Sequence, residues 1–225
     1  MEHLVQSLGK RVFYGAAHRG ATKDHCAERK QAKEQLLSAI LEKCFHVGIA
    51  KGQPHGQALQ NGTRIDIVSG RLGRPLLYVN GQKGPDVSFT HLNGSTWAAL
   101  CPENACVGID AACMSEFEDD YPYGRAFHKR EMEAFRYCTQ GKTGEAAAMI
   151  WSAKEAVVKA LGCGFHLLDP LDLEIVPYGN GRVQRLGIIP GPRAIAKFPT
   201  VAWDSIRLGM PAADRVKLSI ALVEQ

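Results

Sequence analysis

The chain has 225 residues, 45% of them hydrophobic and 22% charged, with a net charge of +4. That is the make-up of an ordinary globular protein, long enough for two lobes of about 110 residues, each able to bury a core. The charge excess suits an anionic ligand or an acidic partner and is too small to argue for nucleic acid. No apolar run approaches the ~18 residues of a membrane span, and the N-terminal "MEHLVQSLGKRVF" lacks the layout of a secretory leader, so the expected location is cytoplasmic. The cysteines, at 26, 44, 101, 106, 113, 138 and 163, are odd in number and contain no C-x-x-C pair. They are expected to be reduced and largely buried, and they give no sign of zinc or a redox centre.

In chain order, the first predicted element is a helix over 24–45, "DHCAERKQAKEQLLSAILEKCF". Leu36, Leu37, Ile40, Leu41 and Cys44 form its apolar side, and Arg29, Lys30 and Lys33 lie near its first turns. A glycine-rich polar stretch to Arg64 reads as loop. Four short strand candidates follow, "RIDIVSG", "PLLYVN", "DVSFTHL" and "STWAALC", separated by Gly, Pro and Asn as hairpin connections would be. "CVGIDAA" at 106–112 opens a second lobe with a buried strand. After an acidic, tyrosine-containing loop over 115–124 come a charged helix, "HKREMEAFRYC", and a helix over 151–162, "WSAKEAVVKALG". "LDLEIVP", "RVQRLGIIP", "AIAKFPTVAWDSIRL" and "RVKLSIALVE" complete the set as strands. Helix and antiparallel sheet in each half predict an α+β fold, with an N-terminal lobe over 1–105 and a C-terminal lobe over 106–225.

Two places carry candidate chemistry. On the 151–162 helix, Ser152, Glu155 and Lys159 fall on one arc, while Ala153, Ala156, Val157 and Ala160 form an inward one small enough for close approach. By spacing alone the polar set reads as structural: Ser152 and Glu155 fit a capping box, and Glu155 and Lys159 fit an i, i+4 pair. Asp110 is the other place, an acid directly after Val107, Gly108 and Ile109 where a buried strand ends. Alone it too reads as a strand terminator.

Together, "VGID" and "WSAKEAVVK" resemble the signature of the 4'-phosphopantetheinyl transferase superfamily, a G-[IV]-D segment followed further along by [FW]-[ST]-x-K-E-[AS]-x-x-K. Upstream, "GRP" at 73–75 and "VSFTHLNG" at 87–94 are similar to two more of its elements. Order, spacing and length resemble the Sfp-type branch, a monomer of two similar lobes related by a pseudo-twofold axis, each an antiparallel sheet packed with a long helix. The resemblance implies a transferase that moves the phosphopantetheine arm of coenzyme A onto a serine of an apo acyl, peptidyl or aryl carrier protein and releases 3',5'-ADP.

The same resemblance implies roles for residues. Asp110 and Glu155 would hold Mg²⁺, a hard ion suited to a few carboxylates, phosphate oxygens and water. Glu155 would also be the general base for the carrier serine, and Lys159 would steady the pyrophosphate leaving group. Arg74 and His91, with Thr90 in the same motif, would hold the 3'-phosphate of coenzyme A. Lys154 would be a phosphate or support contact, or else a solvated lysine. Arg29 and Lys33 would reach the nucleotide, or else form the wet face of their helix. The region 113–138 would meet the carrier.

One departure stands out. Where bacterial Sfp-type members commonly carry a second acid, G-I-D-x-E, this chain has Ala112, which cannot coordinate. Glu103 and Glu116 are the nearby acids that could take its place. Ala112 is the main support for a rival reading, a catalytically silent binding module for coenzyme A or a carrier. A metal-dependent hydrolase acting on a pyrophosphate is a second rival, with no water-activating cluster beyond Glu155 to recommend it.

Overall fold

The computed structural model describes residues 4–8, 12–18, 25–46, 63–101, 104–118, 120–178, 185–211, 213 and 216–224. The elements are β1 (Leu4–Leu8), β2 (Val12–His18), α1 (His25–His46), β3 (Ile65–Ser69), β4 (Pro75–Val79), β5 (Gln82–Lys83), β6 (Asp86–Leu92), β7 (Ser95–Cys101) and β8 (Ala105–Ala112). There follow α2 (Tyr123–Ala126), α3 (Lys129–Cys138), α4 (Thr143–Ala160), β9 (Leu173–Tyr178), β10 (Arg185–Pro190), α5 (Pro192–Lys197), β11 (Arg207–Gly209) and β12 (Lys217–Glu224).

Among the described residues every strand pairing is antiparallel, in the α+β class expected. One sheet runs β1-β2-β7-β6, a second β8-β12-β11-β10-β9, and a small third β3-β4-β5. The two large sheets lie face to face between helices. Leu36, Leu37, Ile40 and Leu41 of α1, all 0% exposed, cover the outer face of the first sheet at Phe13, Val87, Ala98 and Leu100. Its inner face, carrying Val12, Tyr14 and Ala99, meets Val107, Ile109, Leu218 and Ile220 of the second sheet. Beneath the outer face of the second sheet lies α4, whose Ala153, Ala156, Val157 and Ala160 sit in one core with Ile175, Leu186 and Leu208. Each fully buried Leu, Ile, Val or Phe side chain contributes roughly 1.5–3 kcal/mol.

Gly108 sets how closely α4 can lie on β8. A Cβ there would stand 1.8 Å from the Ala156 carbonyl oxygen and 2.6 Å from the Ala160 nitrogen. The helix backbone therefore rests directly on the strand, which is why its inward residues are small.

The structure departs from the predicted elements in three main places. The N-terminal strands β1 and β2 were not expected, because "VFYGAA" is a continuous apolar run without alternation. The run is continuous because β2 is buried on both faces: Phe13 and Ala17 lie under α1, Val12 and Tyr14 between the sheets. The segment 194–208, expected as a strand, instead holds the end of α5, a 3-10 turn at Trp203–Ser205 and irregular chain between them, leaving only the short β11. Pro192, at the first helical position, is the start signal for α5.

The third correction concerns the helix expected to begin at 151, which begins at Thr143. Ala146 to Ile150 are buried at every position, so no amphipathic period announces them. Ser152 is therefore mid-helix and caps nothing. Its hydroxyl, fully buried, meets the Met149 carbonyl at 3.2 Å and the Ser219 hydroxyl at 2.8 Å.

The loop expected up to Arg64 lies, between 47 and 62, outside the described residues. Among the described residues no helix is long and apolar enough to cross a membrane. The described cysteines carry free thiols: 101, 106, 113 and 163 are buried, and 138 is half-buried.

Candidate active site

The site grows from the edge where the two large sheets meet. Along β6, residues 86, 88 and 90 point to one side by strand alternation, and each side chain reaches β8. The Asp86 carboxylate accepts from the Val107 amide at 2.8 Å, and the Ser88 hydroxyl accepts from the Ile109 amide at 3.1 Å. The Thr90 hydroxyl donates to Asp110 Oδ1 at 3.0 Å. Side chains take the place of a backbone ladder here and fix β8 in register against β6.

Asp110 thereby faces α4. Lys159 Nζ donates to its Oδ1 at 2.5 Å and to the Ile109 carbonyl at 3.3 Å. Glu155, one turn earlier on α4, lies near enough to Asp110 for the two charges to interact. Burial pushes the Asp110 carboxyl above the usual carboxylate range, and the Lys159 ammonium with the Thr90 hydroxyl pulls part of that back. Glu155 is likewise pushed up, first by burial and further by the Asp110 charge, with Lys159 opposing. A carboxylate raised in this way is a better proton acceptor near neutrality than a free one.

A cleft of about 330 Å³ opens over this cluster. Glu155 and Lys159 line one wall; Lys33, Arg74, Ser88 and His91 are on the others. His91 Nδ1 lies 2.9 Å from the Thr96 hydroxyl, and Lys33 Nζ sits 4.9 Å from the centre of the Phe89 ring. Arg74 turns its guanidinium largely inward: Nη2 donates to Asp86 at 2.7 Å and Nη1 to the Ala160 carbonyl at 3.4 Å.

The structure thus brings Arg74, His91, Lys33, Glu155 and Lys159 to one cleft, with Asp110 and Thr90 directly behind it. Lys154 is elsewhere. Its ammonium is 0% exposed and its three N–H bonds go to the Ala126 carbonyl at 2.8 Å, the Pro170 carbonyl at 2.9 Å and Glu131 at 2.5 Å. It is neither solvated nor open to a phosphate, so the coenzyme A and solvent readings of Lys154 are corrected to a buried support contact that ties α4 to α2, α3 and the turn at Pro170. The backbone of Arg29 and Lys30 belongs to α1, but their side chains lie outside the described residues, as does Glu103.

The donors suit a hard cation only as a pair. Among the described residues no cluster of three or more His, Cys, Asp or Glu is placed to hold a metal. Asp110, buried, and Glu155, half-buried, offer two carboxylates whose mutual repulsion a cation would relieve, which fits an ion that keeps water and phosphate oxygens in its shell. Ala112 is 1% exposed in the core beneath α4. Glu116 accepts from the Cys113 amide at 2.8 Å and closes the turn at Met114–Phe117, so it serves that turn.

Asp86 and Ser88 were not singled out from sequence. Their signal was available: polar residues at alternate positions of an otherwise apolar strand, one side of which must be buried.

Residues 106–198 match the model of the 4'-phosphopantetheinyl transferase superfamily, which supports a transferase enzyme. No curated protein matches. Among solved structures, the chain is 20% identical to a Chronobacterium ammoniagenes ACPS-CoA complex, covering 54% of this chain and 98% of that one, with a TM-score of 0.43. Holo-[acyl-carrier-protein] synthase from Neisseria meningitidis is 17% identical over 53% of this chain and 98% of its own, TM-score 0.41. A Bacillus anthracis holo-(acyl-carrier-protein) synthase in complex with CoA (3',5'-ADP) is 20% identical over 53% and 96%, TM-score 0.41. At these values the likeness transfers neither ligand nor partner.

Proposed function

We propose that this chain is a 4'-phosphopantetheinyl transferase of the two-lobe, Sfp-like kind, acting on coenzyme A and an apo carrier protein in the cytoplasm as a monomer. The observation that carries the reading is that Glu155 and Lys159 line one cleft, with Asp110 bonded to Lys159 directly behind it and Lys33 and His91 on the other walls. That convergence joins the "VGID" strand to the "WSAKEAVVK" helix, within the residues matched to the superfamily.

The two-lobe reading has topological support. In each large sheet the strand before the long helix, β2 or β8, lies beside the last strand of that lobe, β7 or β12. The boundary falls between β7 and β8, at the end of the first sheet and the beginning of the second.

In the proposed reaction the Glu155 carboxylate takes the proton of the carrier serine, whose oxygen attacks the pantetheine-bearing phosphorus of coenzyme A. The bond from that phosphorus to the bridging oxygen breaks, and 3',5'-ADP leaves with the electron pair. Lys159 faces the negative charge that develops there, in a partly buried cleft where a cation acts more strongly than in water. Asp110 and Glu155 would hold Mg²⁺, which supplies neutralisation of the pyrophosphate. Thr90 and Lys159 orient Asp110, and Lys33 and His91 offer cationic or hydrogen-bonding contacts to the phosphates of the nucleotide.

Intact-protein mass spectrometry of apo acyl, peptidyl and aryl carrier proteins, each incubated with this protein, coenzyme A and Mg²⁺, tests the reading. The expected result is a mass gain of one phosphopantetheine on at least one carrier, absent without metal and slowed roughly 10²–10⁴-fold in Glu155→Gln. No gain on any carrier while coenzyme A still binds would favour the silent binding module that Ala112 suggests.

A further inference from the structure

Arg74 lines the cleft, yet its guanidinium is engaged inside the protein. Its Nη2 is 2.7 Å from Asp86 Oδ2, an ion pair in which the side chains are 20% and 18% exposed. The same Asp86 oxygen takes the Val107 amide, three residues before Asp110. Nη1 reaches the Ala160 carbonyl, one of the last unpaired carbonyls of α4. The turn that follows is shaped to admit the guanidinium: Gly162 has φ +73°, and a Cβ there would lie 2.4 Å from Nη1. A cation at this end of a helix also meets the negative pole of its dipole.

We infer that Asp86 and Arg74 form a clamp that positions the last turn of α4, and with it Lys159, against Asp110, so that both are positioning residues and Arg74 is not the clamp for the 3'-phosphate. The chain of contacts is continuous: Val107 amide, Asp86, Arg74, Ala160 carbonyl. Its two ends flank the Lys159 and Asp110 pair, since Ala160 follows Lys159 and Val107 lies on the strand of Asp110. Arg74 spends its charge on Asp86, which weakens it as a phosphate magnet, while Lys33 and His91 line the same cleft. This inference rests on the proposed transfer reaction for its kinetic consequence, but not for its structural one.

Two conservative variants, Asp86→Asn and Arg74→Gln, test it on the full chain. Hydrogen exchange of the peptide amides over 155–164 needs no activity. Exchange there is expected to quicken on the order of tenfold in both variants, the scale of one charge-assisted hydrogen bond; unchanged exchange overturns the clamp.

The second measurement compares coenzyme A with 3'-dephospho-coenzyme A as donor, well below the thermal midpoint of each variant. Both variants are expected to lower kcat by the same factor with either donor, and the double variant is expected to be no worse than Arg74→Gln alone. A merely stabilising pair would shift the midpoint and leave kcat per folded molecule alone. A loss confined to coenzyme A, appearing in KM and absent with the dephospho form, would instead restore Arg74 as a 3'-phosphate ligand. Should the wild type transfer nothing, the transfer reading fails, and the exchange measurement still decides the clamp.

Discussion

Lys154 shows how far a single side chain can depart from its sequence neighbourhood. It adjoins Glu155 in the chain, yet it leaves α4 on the opposite side and ends in a dry pocket with Glu131 of α3. Burial pulls its ammonium below the usual lysine range while Glu131 holds it up. Glu131 is itself committed, accepting from the His128 amide at 2.7 Å and the Ile175 amide at 2.8 Å. The pair therefore ties together α4, α3, β9 and the turn at Pro170. Removing one partner leaves an uncompensated buried charge, so Lys154→Met is expected to cost ~3–5 kcal/mol of stability. Chemical denaturation measures it, and a loss under about 1 kcal/mol would mean that Glu131 takes up a proton or finds water at little cost. Replacing both partners by Met and Leu should not restore the wild-type value, because the His128 and Ile175 amides would then be orphaned.

At the scale of elements, the contact that matters most for the site is α4 on β8, and Gly108 is its gauge. Adding one methyl, Gly108→Ala, places a carbon inside the van der Waals radius of helix backbone, which cannot swing aside as a side chain could. The helix must lift, at an expected cost of ~1–3 kcal/mol or more, and Glu155 and Lys159 lift with it. A lower denaturation midpoint together with a larger proportional loss of turnover is expected; full activity in a destabilised protein would show that the cleft tolerates the shift. The glycine of "VGID" is legible in the sequence only as part of a pattern, since nothing local asks for it. The same limit explains what else was read and missed. Strands β3, β4, β6, β7 and β8 were legible because turn residues bracket them. β2 and the first half of α4 were not, because burial on all sides erases the period that announces an element. Asp110, Glu155 and Lys159 were readable through their motif, whereas the partners of Arg74 and Lys154 lie across the fold, at sequence distances that no local pattern spans.

For the molecule as a whole, the two sheets and two helical layers must stay registered for one strand edge to serve as the floor of the cleft, and the Glu145 ion pairs with Lys217 and Lys142 near the opposite end of α4 are expected to make that register sensitive to acid. Lys217 of β12, paired in register with Ala112, donates to Glu145 at 2.5 Å. That hydrogen bond, with the nearby Lys217 and Lys142 charges, holds the Glu145 carboxyl below its ordinary value of 4.5 against a smaller desolvation effect. A folded-state value below the unfolded one means that the unfolded chain binds the proton first. The stabilisation is therefore complete above about pH 4.5 and is lost as pH falls through the lower folded value. Asp110 and Glu155, raised in the fold, contribute with the opposite sign, since the folded state takes up their protons more readily. The acid limb of the stability curve is the difference between the two. Glu145→Gln removes the first contribution alone, so its urea midpoint is expected to fall less than the wild type's as pH drops from about 5 to about 2. Parallel curves for the two proteins would mean that the pair is screened by solvent and that acid acts on the molecule elsewhere.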